Sequence, residues 1–151
     1  MHEIHDTAEV TLPVDPAALF ATITDVEHLP EWNAAIERVV EPPPAMVPGA
    51  RWTVEMHPMR GVRWKSVSTL DVLDVDRRQF SYRTVNADGN PSFSLWDWHV
   101  RPAREGATVS VRWDVFLKTA DRRLFGGPIR RRQLRREVPA SLRRVAEHVS
   151  I

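Results

Sequence analysis

Aromatic side chains and small hydroxyls recur at alternate positions through the middle of the sequence, and together they could form a ligand-binding cavity. Large aromatics supply apolar walls, and a few hydroxyls orient a ligand through hydrogen bonds. A dry core disfavours such hydroxyls, because each one buried without a partner costs roughly 1–3 kcal/mol. The alternative is that the aromatics fill a core while the hydroxyls lie near strand ends in water. The hydroxyl-bearing residues concerned are Ser66, Ser68, Thr84, Ser92 and Ser94.

The sequence contains none of the common catalytic or cofactor motifs. Its six histidines include no pair at the spacing of a zinc-binding helix motif. The nucleophile elbow G-x-S-x-G, the P-loop and the dinucleotide fingerprint are absent from the sequence. With no cysteine, disulfides, a cysteine nucleophile and thiolate metal sites are excluded. We therefore expect no metal and no cofactor, assign no catalytic residue, and keep only His57 and Tyr82 as candidate acids or bases.

Length and composition predict one globular domain over residues 1–151. A chain of 151 residues buries roughly 68–70% of its unfolded surface, which is enough for a sizeable core. The apolar fraction of 42% and the charged fraction of 27% are ordinary for a globular protein. No apolar run approaches the ~20 residues of a membrane span, and the N-terminus lacks the pattern of a signal peptide. The expected location is the cytoplasm.

From Arg51 onward the apolar residues recur with a period of two, which predicts a meander of antiparallel strands. Four consecutive turns are consistent with one shared apolar face, with Trp52 placed across from Ser66 and Tyr82 across from Ser94. On the opposite face, the last hairpin places Asp97 across from Arg112. The apolar face collects Trp52, Val54, Met56, Trp64, Leu70, Val72, Phe80, Tyr82, Trp96, Trp98, Val100, Val109, Val111, Trp113, Val115 and Leu117.

The two ends of the chain supply further strands and helices. Residues 2–12 alternate as a half-buried strand, and a short second strand is predicted over residues 36–41. Asp15 followed by Pro16 is typical of a helix start. From about Ile129 an apolar stripe of helical spacing predicts a long terminal helix, preceded by residues 126–128 as its start and kinked at Pro139. A sheet crossed by such a helix is an α+β architecture.

Charge is divided unevenly between the two ends of the chain. Residues 1–47 hold nine acids and one base, and residues 122–144 hold nine arginines and one acid. The two regions could attract each other in a homodimer, and equally within one chain. The arginines could instead bind phosphates of nucleic acid, an anionic lipid surface or an acidic partner. Because they interleave with an apolar stripe and the pI is only about 8.4, nucleic-acid binding is disfavoured.

Residues 14–32 resemble the opening of START-like (SRPBCC) domains. In those domains a strand runs into the pattern apolar-x-x-Pro-x-x-apolar-Phe-x-x-Ile-x-Asp, and a Pro-x-Trp follows shortly. The segments 48–52, 72–76 and 106–109 and the terminal amphipathic helix also fit that superfamily. Within it, the chain is most similar to the polyketide cyclase/dehydrase and lipid transport branch. The resemblance implies a helix-grip fold, in which a curved antiparallel sheet of six or seven strands wraps around a long C-terminal helix and encloses a cavity.

The resemblance and the aromatic face together predict binding of a hydrophobic or aromatic small molecule of lipid, polyketide or quinone type. Two alternatives stay open: a polyketide cyclase or dehydratase acting in the same cavity, and an interaction module using the arginine-rich helix. In the binding hypothesis the tryptophans form walls, the hydroxyls orient the ligand and the helix closes the cavity. The predicted ligand-binding residues are Trp52, Val54, Met56, Trp64, Ser66, Ser68, Leu70, Tyr82, Ser94, Trp96, Trp98, Trp113, Leu134, Val138 and Leu142.

Overall fold

The computed structural model describes residues 3–119 and 127–149, which form a seven-stranded antiparallel sheet and a long terminal helix. Along the sheet the strands follow the order β1-β7-β6-β5-β4-β3-β2. This open, curved sheet confirms the predicted helix-grip fold. The elements are β1 (Glu3–Leu12), α1 (Pro16–Thr24), a 3-10 helix (Val26–Glu31), β2 (Ile36–Glu41), β3 (Arg51–Met59), β4 (Val62–Asp74), β5 (Gln79–Asn86), β6 (Phe93–Ala103), β7 (Gly106–Phe116) and α2 (Gly127–Val145).

Helix α1 begins as its sequence predicts. The Asp15 carboxylate accepts a hydrogen bond of 3.0 Å from the Ala18 backbone N–H, and Pro16 occupies the first helical position. The helix buries Leu19, Phe20 and Ile23 against the sheet. The cap and the buried stripe together fix this helix against β6 and β7.

Helix α2 lies across the inner face of the sheet and buries the predicted apolar stripe, including Leu134, Val138, Leu142 and Val145. It starts at Gly127 and runs through Pro139. The predicted start at residue 126 and the arginines at 122 and 123 lie outside the described residues. None of the described helices is long and apolar enough to cross a membrane.

The outer side of α2 carries most of its arginines into solvent, and some of them bind groups at the acidic end of the same chain. Arg135 lies 3.5 Å from the Asp6 carboxylate on β1. Arg144 donates to the backbone carbonyl of Glu31. Part of the predicted attraction between the two ends is therefore satisfied within one chain.

The strand register differs from the prediction in two hairpins, although the side chains still lie on the predicted face of the sheet. Trp52 pairs with Ser68, two residues from the predicted Ser66, and Tyr82 pairs with Trp96, two residues from the predicted Ser94. The predicted alignments of Trp96 with Trp113 and of Asp97 with Arg112 are confirmed. A shift of two residues keeps every side chain on its face, because side chains alternate with a period of two.

The prediction that Val72 belongs to the inner face is wrong. A bulge between Leu70 and Val72 inserts one extra residue into β4, so that Leu73, rather than Val72, pairs with Phe80. Leu73 packs against the core, while Val72 lies on the outer side of the sheet. An extra residue reverses the alternation beyond it, and no residue type in this stretch marks the bulge.

A side chain added at Gly106 would collide with backbone. Its φ is +153°, and a Cβ atom there would lie 2.1 Å from the Leu12 carbonyl oxygen and 2.8 Å from the Val14 nitrogen. We expect Gly106→Ala to lower the free energy of unfolding by about 3 kcal/mol. Gly89→Ala is the control, because its φ is +85° but its Cβ would meet open space; about 1 kcal/mol is expected from backbone strain alone. Urea unfolding of both variants checks the difference, and equal losses would contradict it.

Candidate ligand cavity

A cavity of about 300 Å³ lies between the inner face of the sheet and α2. Its walls are mainly apolar, and most of its polar groups come from alternate positions of the middle strands and from one side of α2. Exposed Val62 and Ile129 line one end of it, so that end reaches the surface. Of the predicted ligand-binding residues, the structure places on the cavity wall Trp52, Val54, Met56, Trp64, Ser66, Ser68, Tyr82, Ser94, Trp96, Trp98 and Val138.

Four of the predicted ligand-binding residues lie in the core instead of on the cavity wall. They share the inner face or the buried stripe of α2, but neighbouring side chains cover them completely. The predicted face is wider than the cavity, since part of it is needed to hold the helix on the sheet. The four are Leu70, Trp113, Leu134 and Leu142.

The aromatic wall is a connected series of ring contacts. Tyr82 stands at its centre, with its ring 5.4 Å from Trp52 and 6.4 Å from Trp96. Trp96 stacks in turn on Trp113 at 5.9 Å, and Trp98 meets Trp32 edge to face at 5.8 Å. Offset-stacked and edge-to-face pairs are the preferred aromatic geometries, and they add stability beyond the buried area. The wall is therefore stiff and continuous with the core.

Small hydroxyls cross the floor of the cavity in a row perpendicular to the strands. Ser68 pairs with Thr84 on the next strand, and Thr84 pairs with Ser94 on the strand after that. The Ser68 and Thr84 hydroxyl oxygens are 2.8 Å apart and share a hydrogen bond. Ser68 and Ser94 are buried, which excludes the alternative that these serines lie in water at strand ends.

Three hydroxyls in the cavity each accept a hydrogen bond from a neighbouring indole. The Trp64 Nε1–H donates to Ser66 Oγ at 3.0 Å, and the Trp96 Nε1–H donates to Ser94 Oγ at 3.0 Å. The Trp98 Nε1–H donates to the Tyr82 hydroxyl at 3.2 Å. In the first two pairs the partners are two residues apart on one strand and so project from the same face.

Tyr82 carries a buried hydroxyl whose proton is held tightly. Burial raises the pKa of Tyr82 to about 12, against a smaller opposing effect of the hydrogen bond from Trp98. The phenol is therefore neutral at physiological pH. Tyr82, one of the two candidate acids or bases, lies in the cavity and can donate a hydrogen bond there, but it is not a base.

His57, the other candidate, is absent from the cavity wall. Its neighbour Met56 lines the cavity, so the alternation of β3 directs His57 to the other side of the sheet. There its Nδ1 lies 3.7 Å from a carboxylate oxygen of Glu37. His57 therefore lies within β3, which continues to Met59 and leaves only residues 60 and 61 in the turn before β4.

Helix α2 brings a carboxyl group to the cavity that the sequence reasoning missed. Glu137 lines the cavity and accepts a 2.7 Å hydrogen bond from the Gln133 side chain. Burial raises the pKa of Glu137, while the positive charge of Arg130 and the bond from Gln133 oppose that rise. Gln133, Glu137 and Ser141 recur every four residues beside the apolar stripe, and this spacing is the signal that could have found them.

Ser141 ties α2 to the chain segment in front of β2. Its hydroxyl oxygen accepts a hydrogen bond of 2.9 Å from the Ala34 backbone N–H, and both Ser141 and the adjacent Asn33 line the cavity.

Within the described ranges, no three histidine or carboxylate side chains are grouped so that they could hold a metal ion.

Comparison with known proteins gives one family match and many structural matches. The model of the family described as polyketide cyclase / dehydrase and lipid transport matches residues 3–150. No curated protein matches the chain.

Several solved structures share the fold at low sequence identity. The crystal structure of Ara h 8.0201 superposes with a TM-score of 0.75 at 18% identity, covering 97% of both chains. The Zhui aromatase/cyclase from Streptomyces sp. R1128 gives 0.73 at 20% identity, covering 98% of this chain and 94% of that one. The di-domain aromatase/cyclase BexL gives 0.78 at 14% identity, covering 99% of this chain and 51% of that one.

The family match spans nearly the whole described chain, and the structural matches carry the same sheet and terminal helix. The protein therefore belongs to the polyketide cyclase/dehydrase and lipid transport family of START-like (SRPBCC) domains.

Proposed function

We propose that this protein binds a hydrophobic, aromatic small molecule in the cavity between the sheet and α2. The observation that carries the proposal is the aromatic-walled cavity of about 300 Å³, with Trp52, Trp64, Trp96 and Trp98 on its walls. Burial of apolar area stabilises a ligand by roughly 25 cal/mol per Å². The volume lies at the lower end of the usual range for ligand pockets, which favours a compact ring system of polyketide or quinone type over a long-chain lipid.

Tryptophan fluorescence tests this proposal directly. Titration with a panel of compact aromatic compounds should quench the emission saturably, because four indoles line the cavity. In Val138→Phe, the added ring projects from α2 into the cavity, and affinity should fall at least tenfold. Val75→Phe is the matched control at an exposed turn, where affinity should not change. A thermal melt shows whether each variant is folded, and Ile36→Phe on the same cavity wall replaces Val138→Phe if that variant is not.

A flat response across the whole panel would contradict the binding proposal. So would equal affinity of a folded cavity-filled variant and the native protein, because the ligand would then bind elsewhere.

A second candidate function, ring closure by a cyclase or dehydratase, is favoured by Glu137. A carboxylate beside a bound poly-β-ketone can take a proton from a CH₂ group between two carbonyls. Hydroxyl donors on the sheet can stabilise the resulting enolate oxygen, which is the role of an oxyanion hole. The carbanion then attacks a second carbonyl of the same molecule, and the alkoxide formed takes the proton back from Glu137. Loss of one water completes the condensation.

In this second candidate function, Glu137 takes the role of acid or base for which His57 and Tyr82 were the sequence-based candidates. His57 lies on the other side of the sheet, and Tyr82 keeps its proton at neutral pH. Glu137 combines a titratable group with a position on the cavity wall.

A further inference from the structure

On the sheet side of the cavity, the hydroxyl groups have more protons to donate than the neighbouring protein groups accept. A hydroxyl has one proton to donate and two lone pairs to accept with, whereas an indole N–H can only donate. Indole N–H groups already donate hydrogen bonds to the hydroxyl oxygens of Ser66, Tyr82 and Ser94, and each bond occupies one lone pair. Each of these three oxygens therefore has a hydrogen-bond donor beside it and still carries its own proton.

Counting protons shows what the cavity floor offers a ligand. The five cavity-lining hydroxyls on β4, β5 and β6 contribute five protons, and the bond between Ser68 and Thr84 consumes one of them. Within residues 3–119 and 127–149, no hydrogen bond takes up the other four. The five are Ser66, Ser68, Tyr82, Thr84 and Ser94, all of which line the cavity. The floor is thus a surface of hydrogen-bond donors inside an aromatic enclosure.

The register arranges these donors along one direction. Ser68, Thr84 and Ser94 lie side by side on three adjacent strands, and neighbouring strands are about 4.8 Å apart. Ser66 lies next to Ser68 on the same face of β4, two residues away. A flat molecule lying on this row would meet donors along one edge and indoles around its faces.

The structure points to a ligand with two or more uncharged acceptor oxygens, such as carbonyl groups, along one edge of a planar ring system. This inference rests on the proposed binding function and specifies what the cavity recognises. The oxygens would accept from Ser66, Ser94 and the hydroxyls between them. They are uncharged because the two charged residues among the described lining, Glu137 and Arg130, have opposite signs. A buried anion or cation would therefore gain little net attraction from the wall.

The tryptophans orient the hydroxyl protons, and this orientation makes the hydroxyls select ligands that have acceptor atoms. An indole N–H aimed at a serine oxygen repels a second donor from the same lone-pair region and turns the serine proton away from the indole. Buried donors left without an acceptor cost free energy, so a ligand lacking acceptors forfeits stabilisation at each of them. The site should therefore distinguish molecules of equal shape by the polarity of one edge.

A matched pair of ligands tests the inference by equilibrium dialysis: 1,2-naphthoquinone, which has two adjacent carbonyls on one edge, and naphthalene, which has none. Naphthalene is the more hydrophobic of the two, so burial alone would favour it. We expect naphthoquinone to bind at least tenfold more tightly. In the double variant Ser66→Ala, Ser94→Ala, naphthoquinone affinity should fall about tenfold, since each neutral hydrogen bond contributes modestly. Naphthalene affinity should stay within about twofold. The protein has no cysteine to which the quinone could add.

Ser81→Ala is the control variant, because Ser81 lies on β5 beside Tyr82 but faces the outer side of the sheet. It should leave both affinities unchanged. Equal binding of the two compounds, with no effect of the double variant, would overturn the acceptor inference and leave the binding proposal standing. Failure of both compounds to bind would overturn both.

Discussion

Replacing Trp113 by alanine is expected to lower the free energy of unfolding by about 3–5 kcal/mol, the range for removing a fully buried large aromatic. Its side chain is only 2% exposed and stacks on Trp96 at 5.9 Å, so little of the space could collapse. Urea unfolding followed by circular dichroism measures the loss as a shift in midpoint at constant slope. Trp64→Ala should cost less, because Trp64 lines the cavity and is only partly buried.

The control for the Trp113 variant separates ring packing from the indole N–H. Within the described part of the chain, the Trp113 Nε1–H has no hydrogen-bond partner. Trp113→Phe keeps an aromatic ring and removes that unsatisfied donor, so we expect a loss below about 1.5 kcal/mol. A loss under 1 kcal/mol for Trp113→Ala would show that Trp113 is not packed as the structure has it.

The inner face of the sheet could be predicted because strands have a period of two. The predicted registers of two hairpins were off by two residues, yet Trp52 and Tyr82 still faced the cavity. Only an odd shift changes the face, which is why the bulge at β4 misplaced Val72 and left the earlier part of the strand correct. Hydrophobic alternation thus predicts which side of a sheet a residue lies on better than it predicts the partner.

Which residues of that face line a cavity could not be predicted in the same way. Trp96 and Trp113 are direct partners on β6 and β7, but only Trp96 lines the cavity. The difference depends on where α2 rests on the sheet, which is a tertiary property. Glu137 was missed for a related reason, since one acid among many arginines is typical of a solvated helix face. The helix position turns it instead toward the cavity, beside Gln133.

Glu137→Gln is expected to slow ring closure of a linear poly-β-ketone thioester by about 100-fold or more, if the cavity catalyses that reaction. Glutamine keeps the shape and a hydrogen-bonding oxygen toward Gln133 but cannot take up a proton. Mass spectrometry of the product, which has lost one water, follows the rate. Glu147→Gln, at an exposed position just beyond α2, is the matched control and should leave the rate unchanged. Glu137→Asp, which restores a carboxyl group, should recover part of it.

The stability of Glu137→Gln should depend on pH differently from that of the native protein, and this difference can be measured without a substrate. Burial raises the pKa of Glu137 in the folded protein, so the folded state holds this proton to higher pH than the unfolded state does. The native protein should therefore lose stability as pH rises from the ordinary glutamate range through the raised pKa, whereas Glu137→Gln should lack this component. Urea midpoints from pH 4 to pH 8 measure both proteins, with Glu147→Gln as the control expected to follow the native curve. Parallel curves for Glu137→Gln and the native protein would contradict a Glu137 carboxyl whose pKa is raised by burial in the cavity.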